Sequence, residues 1–186
     1  GPEDIKKEQI IGHKIAYLEG YLWDNENAKR AMKKMVDICK EDKQQIAFTL
    51  SDLFCVDRHQ NSFDDLIVNN VDILFGNEEE MCAMSKSSSI ADAVSYAKSL
   101  NIIAVITLAE KGSLIIKNNN IIEVSPIKVN EVVDTTGAGD LFASGFLYGL
   151  CNNQDLEICG NMASIASAEI ISHYGARPIE KLSSLI

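Results

Sequence analysis

The chain has 186 residues and a formal net charge of −10, and apolar residues make up 46% of it. This composition is ordinary for a globular protein with a core, and no apolar run reaches the about 18 residues that a membrane-spanning helix needs. We therefore expect no membrane association. Because the chain is acidic and its basic residues are scattered, we also expect no nucleic-acid partner. Phosphate chemistry on so acidic a protein would require a divalent cation.

Five cysteines occur in the sequence, and none of them forms a CxxC pair or another zinc-like spacing. Several lie in apolar contexts, so we expect buried thiols in a reducing cytoplasm. Cys55 and His59 are four residues apart and in principle can share a metal ion. No second pair completes the ligand set, which favours a structural interpretation.

Apolar segments alternate along the first half of the chain between strand-like and helix-like spacing. The predicted elements are a strand at 14–18, a helix at 25–39, a strand at 45–50, a loop at 51–57, a helix at 63–68, a strand at 72–75, and helices at 77–84 and 89–100.

The second half begins with a fully apolar segment, which is typical of a strand buried on both faces of a parallel sheet. The predicted elements are that strand at 102–108, a hairpin of strands 113–117 and 121–125 around an Asn-rich turn, and helices at 140–150 and 154–173.

Alternating strands and helices with short connections predict one α/β domain over residues 1–186, built on a three-layer, doubly wound and mostly parallel sheet. Ligands of such sheets bind at the carboxyl ends of the strands. Three segments follow predicted strands, namely 76–77, 108–109 and 134–140. We therefore expect these three segments to meet along one rim.

The sequence DTTGAGD places Gly137, Ala138 and Gly139 just before an apolar helix, where backbone amides are available to an anion. Asp140 follows, and a carboxylate beside an anion hole is suited to accept a proton from an attacking hydroxyl group. The alternative is a turn with a helix cap. A nicotinamide dehydrogenase is disfavoured because Phe142 stands where GxGxxG needs glycine, and a GK[ST] phosphate loop is missing from the sequence.

With its flanks, DTTGAGDLFASGFLYGL resembles the second signature of the ribokinase-like (PfkB) family of carbohydrate and nucleoside kinases. The resemblance implies that Asp140 is the general base and that Gly137–Gly139 form the anion hole for the transferred phosphoryl group. It also implies that Asp134 and Thr136 hold a monovalent cation, such as K⁺, in some members.

Two further stretches are similar to the same family. In VDILFGNEEE, the resemblance implies that Asn77 and Glu80 organise Mg²⁺ and water near the γ-phosphate, whereas alone they indicate a helix N-terminus. AVITLAEKGSLII resembles the strand and turn that bind ATP, with Thr107 and Gly112 in place. Ala109 stands where glycine is usual, and we expect this change to be tolerated.

Near the C-terminus, GNMASIASAEIISHYGARP resembles the helix whose asparagine lies beside the adenine, which implies this role for Asn161. The turn at 175–177 would then close over the base. Without the resemblance, Asn161 is interpreted as a polar residue on a helix surface. SDLFCVDRH and VDILFGNE are most similar to the adenosine-kinase-like branch, and closely similar stretches occur in bacterial proteins described only as sugar kinases.

Members of this family begin with a segment that this sequence lacks, which carries the first strands, a lid and most acceptor-binding residues. The chain thus resembles the C-terminal majority of such a kinase. We expect the 186-residue piece alone to be inactive and poorly stable, because its truncated sheet would expose an apolar edge. The lid often forms the dimer contact in this family, so the sequence does not decide whether the protein forms a homodimer through it.

The resulting hypothesis is an ATP-dependent phosphotransferase that acts on a hydroxymethyl group of adenosine or, next, of a sugar such as ribose or fructose. The alternative is a non-catalytic nucleotide-binding or interaction module on the same fold. The intact Asp140 and the intact pair of Asn77 and Glu80 favour the enzyme.

Overall fold

Strands and helices alternate through most of the computed structural model, which describes residues 1–185. The strands are β1 (Ile15–Glu19), β2 (Gln45–Thr49), β3 (Ile73–Asn77), β4 (Ile103–Thr107), β5 (Ser113–Lys117) and β6 (Asn120–Val124). The α-helices are α1 (Glu26–Glu41), α2 (Leu53–Asn70), α3 (Glu78–Met84), α4 (Ile90–Ser99), α5 (Ala138–Cys151) and α6 (Leu156–Ile170).

The strands form one six-stranded sheet in the order β1-β2-β3-β4-β5-β6. β1 to β4 are parallel, with Ala47 opposite Ile73 and Ile73 opposite Ile103. β5 and β6 are joined by two residues, of which Asn118 has a φ of 55°, so they form the expected hairpin. The predicted α/β class and mostly parallel sheet are confirmed.

The chain divides into two compact units. The first comprises Gly1–Thr107 with Ile116–Asn120, and the second comprises Leu108–Ile115 with the chain from Ile121 onward. The single domain predicted over 1–186 stays a prediction.

In the first unit, the middle strands are apolar because helices cover them. β3 and β4 each have four consecutive buried residues. Right-handed crossovers between parallel neighbours place the connecting helices on one face of the sheet. Trp23, Phe48 and Phe63 meet there with ring centroids 5.0–5.8 Å apart.

Helix α2 begins earlier than the sequence predicts. Residues 53–57 are expected in a loop, yet the helix starts at Leu53 because the Asp52 carboxylate accepts the Cys55 N–H at 2.6 Å and caps it. The predicted helix at 63–68 is only a part of the C-terminal half of α2. Cys55 and Val56 are fully buried, which explains why this first turn packs rather than remaining a loop.

In the second unit, α5 and α6 pack closely through small residues. A Cβ on Gly145 would lie 2.7 Å from the Met162 carbonyl oxygen, and one on Gly149 would lie 2.8 Å from the Cys159 Sγ. Helix α6 ends at Ile170, three residues before the predicted end, and the Ile171 carbonyl accepts the Val133 N–H at 2.8 Å.

Residues 125–137 form neither helix nor strand. The segment 134–140 therefore follows β6, which ends at Val124, only after an irregular stretch. No helix among residues 1–185 is long and apolar enough to cross a membrane. None of the five cysteines forms a disulfide within residues 1–185, and four are buried as expected, while Cys151 is half-buried.

Candidate active site

Helix α5 begins at a glycine instead of a side-chain cap. Gly137 is the N-cap residue, with a φ of 83° in the left-handed region and no side chain to bond the first amides. Left-handed backbone is strained for residues with a Cβ. A Cβ on Gly137 would also lie 3.2 Å from the Ala176 Cβ. Glycine at this position therefore has both a conformational and a packing reason.

The first amides of α5 fall into two groups. The Ala138 N–H donates to the Thr135 carbonyl at 3.1 Å, and the Leu141 N–H donates to the Gly137 carbonyl at 2.9 Å. The N–H groups of Gly139 and Asp140 have no acceptor within residues 1–185. A Cβ on Gly139 would meet nothing within 4 Å. This helix start thus offers two unpaired donors beside open space, which suits an anion.

Asp140 lies in the first turn of α5 and is exposed. Its carboxylate makes no hydrogen bond or ion pair with any residue that the structure describes. A carboxylate that has no internal partner is available to accept a proton from a bound hydroxyl group.

Asp134, six residues earlier, is held by backbone amides. Its Oδ1 accepts the Thr136 N–H at 2.9 Å and its Oδ2 accepts the Gly175 N–H at 3.2 Å. The side chain and backbone of Thr136, followed by the Gly175 amide, hold the pKa of Asp134 below its usual value. The turn at 175–176 therefore borders the start of α5, because the same turn contacts both Asp134 and Gly137.

Glu169 belongs to this neighbourhood, and sequence reasoning missed it. It lies in the last turn of α6 with a side chain only 6% exposed. Its Oε1 accepts N–H groups from Ile179 at 2.8 Å and Glu180 at 2.9 Å. A charged residue within the apolar stretch ASIASAEII was the available signal.

His173 is the third group bonded to Glu169. Both of its ring nitrogens face acceptors, because Nε2 is 3.1 Å from the Glu169 Oε1 and Nδ1 is 3.2 Å from the Tyr174 carbonyl oxygen. That carbonyl and the Glu169 carboxylate raise the pKa of His173 against the opposing effect of burial. Burial opposes the charge of Glu169, but the amides of Glu180 and Ile179 and the imidazole outweigh it and lower the pKa of Glu169.

Asn77 and Glu80 form a capping box at the start of α3. The Asn77 Oδ1 accepts the Glu80 N–H at 2.9 Å, while the Glu80 carboxylate accepts the Asn77 backbone N–H at 2.9 Å and its Nδ2 at 2.8 Å. Burial raises the pKa of Glu80. Because these polar atoms already bond one another, the pair fits Mg²⁺ only through water or nucleotide phosphates.

Within residues 1–185, no group of three or more His, Cys, Asp or Glu side chains is arranged to hold a metal ion. No such group therefore includes Cys55 or His59. His59 Nε2 lies 2.7 Å from Asp24, which also accepts two hydrogen bonds from Arg58, and burial raises the pKa of the Cys55 thiol to about 11.

The segment after β4 is a tight turn. Thr107 is the last residue of β4, and Ala109 is exposed with a φ of 51°. The Leu108 N–H donates to the Gly112 carbonyl at 2.8 Å. Gly112 has a φ of 92°, and a Cβ there would overlap the Val124 carbonyl oxygen. The turn itself therefore requires glycine at 112, whereas alanine at 109 occupies a left-handed conformation that glycine adopts at lower cost.

Asn161 lies on α6 and is exposed, with no hydrogen bond to the part of the chain that the structure describes. Its position agrees with a surface residue and leaves its amide available to a ligand.

Two exposed aromatic side chains follow β1 and β2 in the first unit, and sequence reasoning missed them as well. Tyr21 is 53% exposed and Phe54 is 69% exposed. Tyr21 lies beside the segment that leads into α2, since its backbone N–H donates to Ser51 Oγ at 3.3 Å. Aromatic residues after the carboxyl ends of strands were the available signal.

Comparison with known proteins agrees with this geometry. A cytidine kinase of Thermococcus kodakarensis is 34% identical over 111 residues, which cover 59% of this chain and 40% of that protein. Two solved structures superpose with TM-scores of 0.96: a probable sugar kinase from Rhizobium etli CFN 42, at 39% identity, and an adenosine kinase from Sinorhizobium meliloti, at 36% identity. The chain is covered to 100% and 99%, and spans 58% and 57% of those two chains.

The chain thus spans about half the length of the relatives that it matches. The sequence profile of the pfkB family carbohydrate kinases matches residues 3–182, which is nearly the whole chain. This chain therefore belongs to the pfkB family of carbohydrate kinases, whose similar members include sugar and nucleoside kinases.

Proposed function

We propose that this protein is an ATP-dependent kinase that transfers the γ-phosphoryl group to a hydroxymethyl group of a nucleoside or sugar, with adenosine favoured and ribose or fructose next. The observation that carries the proposal is the start of α5. There, two unpaired amides and an unpartnered carboxylate adjoin open space in a member of a kinase family.

The residues of the chain have separate roles in this reaction. The N–H groups of Gly139 and Asp140 donate to the oxygens of the transferred phosphoryl group, where negative charge must be neutralised. Gly137 supplies the left-handed backbone from which α5 starts, and Gly139 lacks a Cβ on the side of the open space. The Asp140 carboxylate accepts the proton of the attacking hydroxyl group. Mg²⁺ bound to ATP supplies the positive charge that this acidic chain lacks.

The remaining assignments are part of the same proposal. Thr107, Ala109 and Gly112 line the nucleotide, and the exposed amide of Asn161 contacts the adenine. Asp134 and the Thr136 backbone favour a monovalent cation such as K⁺, because the carboxylate remains ionised where two amides bond it.

A nucleoside is favoured over a simple sugar by two exposed aromatic side chains of the first unit. Tyr21 and Phe54 offer planar surfaces after the carboxyl ends of two neighbouring strands. Stacking of a base on an aromatic side chain contributes about 1–3 kcal/mol, whereas ribose or fructose alone offers no ring system of that kind. The adenosine kinase among the similar structures supports the same preference.

The decisive experiment is ADP release by the complete gene product, with Mg²⁺ and ATP, across adenosine, inosine, ribose and fructose. Asp140→Asn should reduce turnover by about two to four orders of magnitude, the usual scale for a general base, with ATP affinity unchanged. Asp155→Asn is the matched control, because Asp155 is an exposed acid at the start of α6 that makes no side-chain cap.

Wild-type turnover in Asp140→Asn would refute the assigned role. Absence of turnover with every acceptor, while ATP still binds, would favour the non-catalytic nucleotide-binding module instead.

The acceptor preference has its own test. Phe54→Ala should raise the KM for adenosine about tenfold or more, the equivalent of one stacking contact, and should leave the KM for ribose or fructose unchanged. Val68→Ala is a suitable control, since Val68 is 62% exposed on the same helix. An unchanged KM for adenosine would remove Phe54 from the acceptor site.

A further inference from the structure

The buried carboxylate of Glu169 is unusual in its surroundings. It lies in the last turn of α6, where both neighbours, Ala168 and Ile170, are buried. One oxygen, Oε1, accepts the three hydrogen bonds from Ile179, Glu180 and His173. The other oxygen, Oε2, is buried with no partner within residues 1–185.

A carboxylate in this position is costly for the fold alone. Burying a polar oxygen without a hydrogen bond is unfavourable, and an apolar side chain at the end of a packed helix would avoid that cost. What Glu169 provides instead is a fixed acceptor for a segment that has little regular structure.

Residues 174–180 form that segment, which we call the C-terminal strap. The strap has no helix or strand, and its side chains are largely exposed, with Tyr174 at 82% and Ile179 at 71%. Its backbone amides are held at two places: the Glu169 carboxylate at one end and Asp134, through Gly175, at the other. His173, just before the strap, bonds to the same carboxylate.

The first part of the strap lies against the proposed phosphoryl site. Gly175 donates to Asp134, and Ala176 is the residue that a Cβ on Gly137 would approach most closely. The strap therefore touches the two residues that set the backbone path into α5, while the unpaired amides of Gly139 and Asp140 follow directly.

We propose that Glu169 is a positioning residue, which pins the C-terminal strap so that the strap holds Gly137 and the following amides in place for the phosphoryl group. This inference rests on the proposed function, because the amides matter only if they bind that group. Glu169 itself contacts no reacting atom and acts through the strap.

The test uses two variants of the complete gene product. Glu169→Leu removes the acceptor of the Ile179, Glu180 and His173 donors and places an apolar side chain at the end of the helix. Glu169→Gln keeps one acceptor oxygen for these donors. We expect Glu169→Leu to lower kcat by about tenfold to a hundredfold and to change the KM for ATP little. We expect Glu169→Gln to stay near wild type.

Amide hydrogen exchange gives a second readout that does not depend on activity. In Glu169→Leu, exchange should become at least about tenfold faster both in the strap and at residues 137–140, since both lose the same support. Glu169→Gln should show wild-type exchange at both places.

Wild-type kcat in Glu169→Leu, or an equal loss in Glu169→Gln, would overturn the inference. If the wild-type protein phosphorylates no acceptor, the proposed function fails. Hydrogen exchange alone then decides whether Glu169 supports the backbone at residues 137–140. Faster exchange at 137–140 as well as in the strap supports the role of Glu169, whereas a change confined to the strap overturns it.

Discussion

The starts of helices α3 and α5 differ in what bonds the backbone amides of the first turn. At α3, the Asn77 and Glu80 side chains bond the first amides and each other. At α5, a left-handed glycine takes the cap position and the amides of Gly139 and Asp140 are left without an acceptor among residues 1–185. One helix start is closed by its own sequence, and the other is left open.

The difference separates a structural helix start from one suited to a ligand. Unpaired amides at a helix start are normally bonded by side chains or water. A glycine cap costs only roughly a few tenths of a kcal/mol in stability and leaves these amides available to a ligand. Both starts have acidic residues in the first turn. The acidic residues alone therefore do not distinguish them, whereas the cap residue does.

The largest effect is expected at the closed helix start. Glu80→Ala should destabilise the protein by about 2–3 kcal/mol, because the Asn77 N–H and Nδ2 lose their acceptor. Glu79→Ala is the matched control, since Glu79 is exposed in the same turn and should cost less than about 1 kcal/mol. Denaturant unfolding measures both, and equal costs would show that the capping box contributes nothing special.

Asn77 and Glu80 can also be used to test their proposed role in organising Mg²⁺. Asn77→Ala with Glu80→Ala should raise the Mg²⁺ concentration needed for half-maximal turnover if the pair organises the water around the ion. An unchanged titration would leave the box with its structural role alone.

A smaller effect, opposite in sign for stability, is expected at the open start. Gly139→Ala should raise stability by up to about 1 kcal/mol through helix propensity, since its Cβ meets nothing within 4 Å. It should nevertheless lower turnover by about tenfold, because the methyl group occupies the space beside the phosphoryl site. Ser144→Ala, exposed on the same helix, should leave turnover unchanged. Full turnover in Gly139→Ala would mean that the open start is not used.

The smallest effect concerns the strap beside the open start. The raised pKa of His173 means that its stabilisation is fully present below its ordinary value of 6.5 and is lost as pH rises through the raised pKa. The groups that face it are the Tyr174 carbonyl, Glu169 and Asp134. Strap exchange, corrected for the intrinsic rate, should therefore become faster as pH rises from about 6 to about 8.

His173→Asn should remove this pH dependence. His13→Asn is the control, because His13 is exposed in the other unit. A wild-type slope in His173→Asn would assign the titration to another group.

The order of elements was predictable because apolar spacing follows burial closely. The strands of the sheet were found within one or two residues, and β3 and β4 gave a clear signal because continuous burial makes them continuously apolar. The start of α2 was missed because one contact decides it, the bond from the Cys55 N–H to Asp52. Spacing does not reveal a single cap bond in advance.

The site was predictable only where glycine and acid lie together in sequence. The open start of α5 is contained in seven consecutive residues, whereas Glu169 meets Ile179 and Glu180 ten and eleven residues later, through a path without regular structure. The sequence assigns Gly112 to the nucleotide, and the structure adds a steric reason in the Val124 carbonyl. Such reasons depend on contacts that only the folded chain makes.

The strand order also has a consequence for how the chain folds. β1 to β4 are adjacent in space in the same order as in sequence, so each new strand pairs with the one just completed. Each pair of neighbouring parallel strands is therefore separated in sequence by only one crossover connection, which keeps the contact order low for a parallel sheet. We expect folding of this part to proceed by successive addition of strand–helix pairs, with fast early steps and no long-range pairing that must be found first.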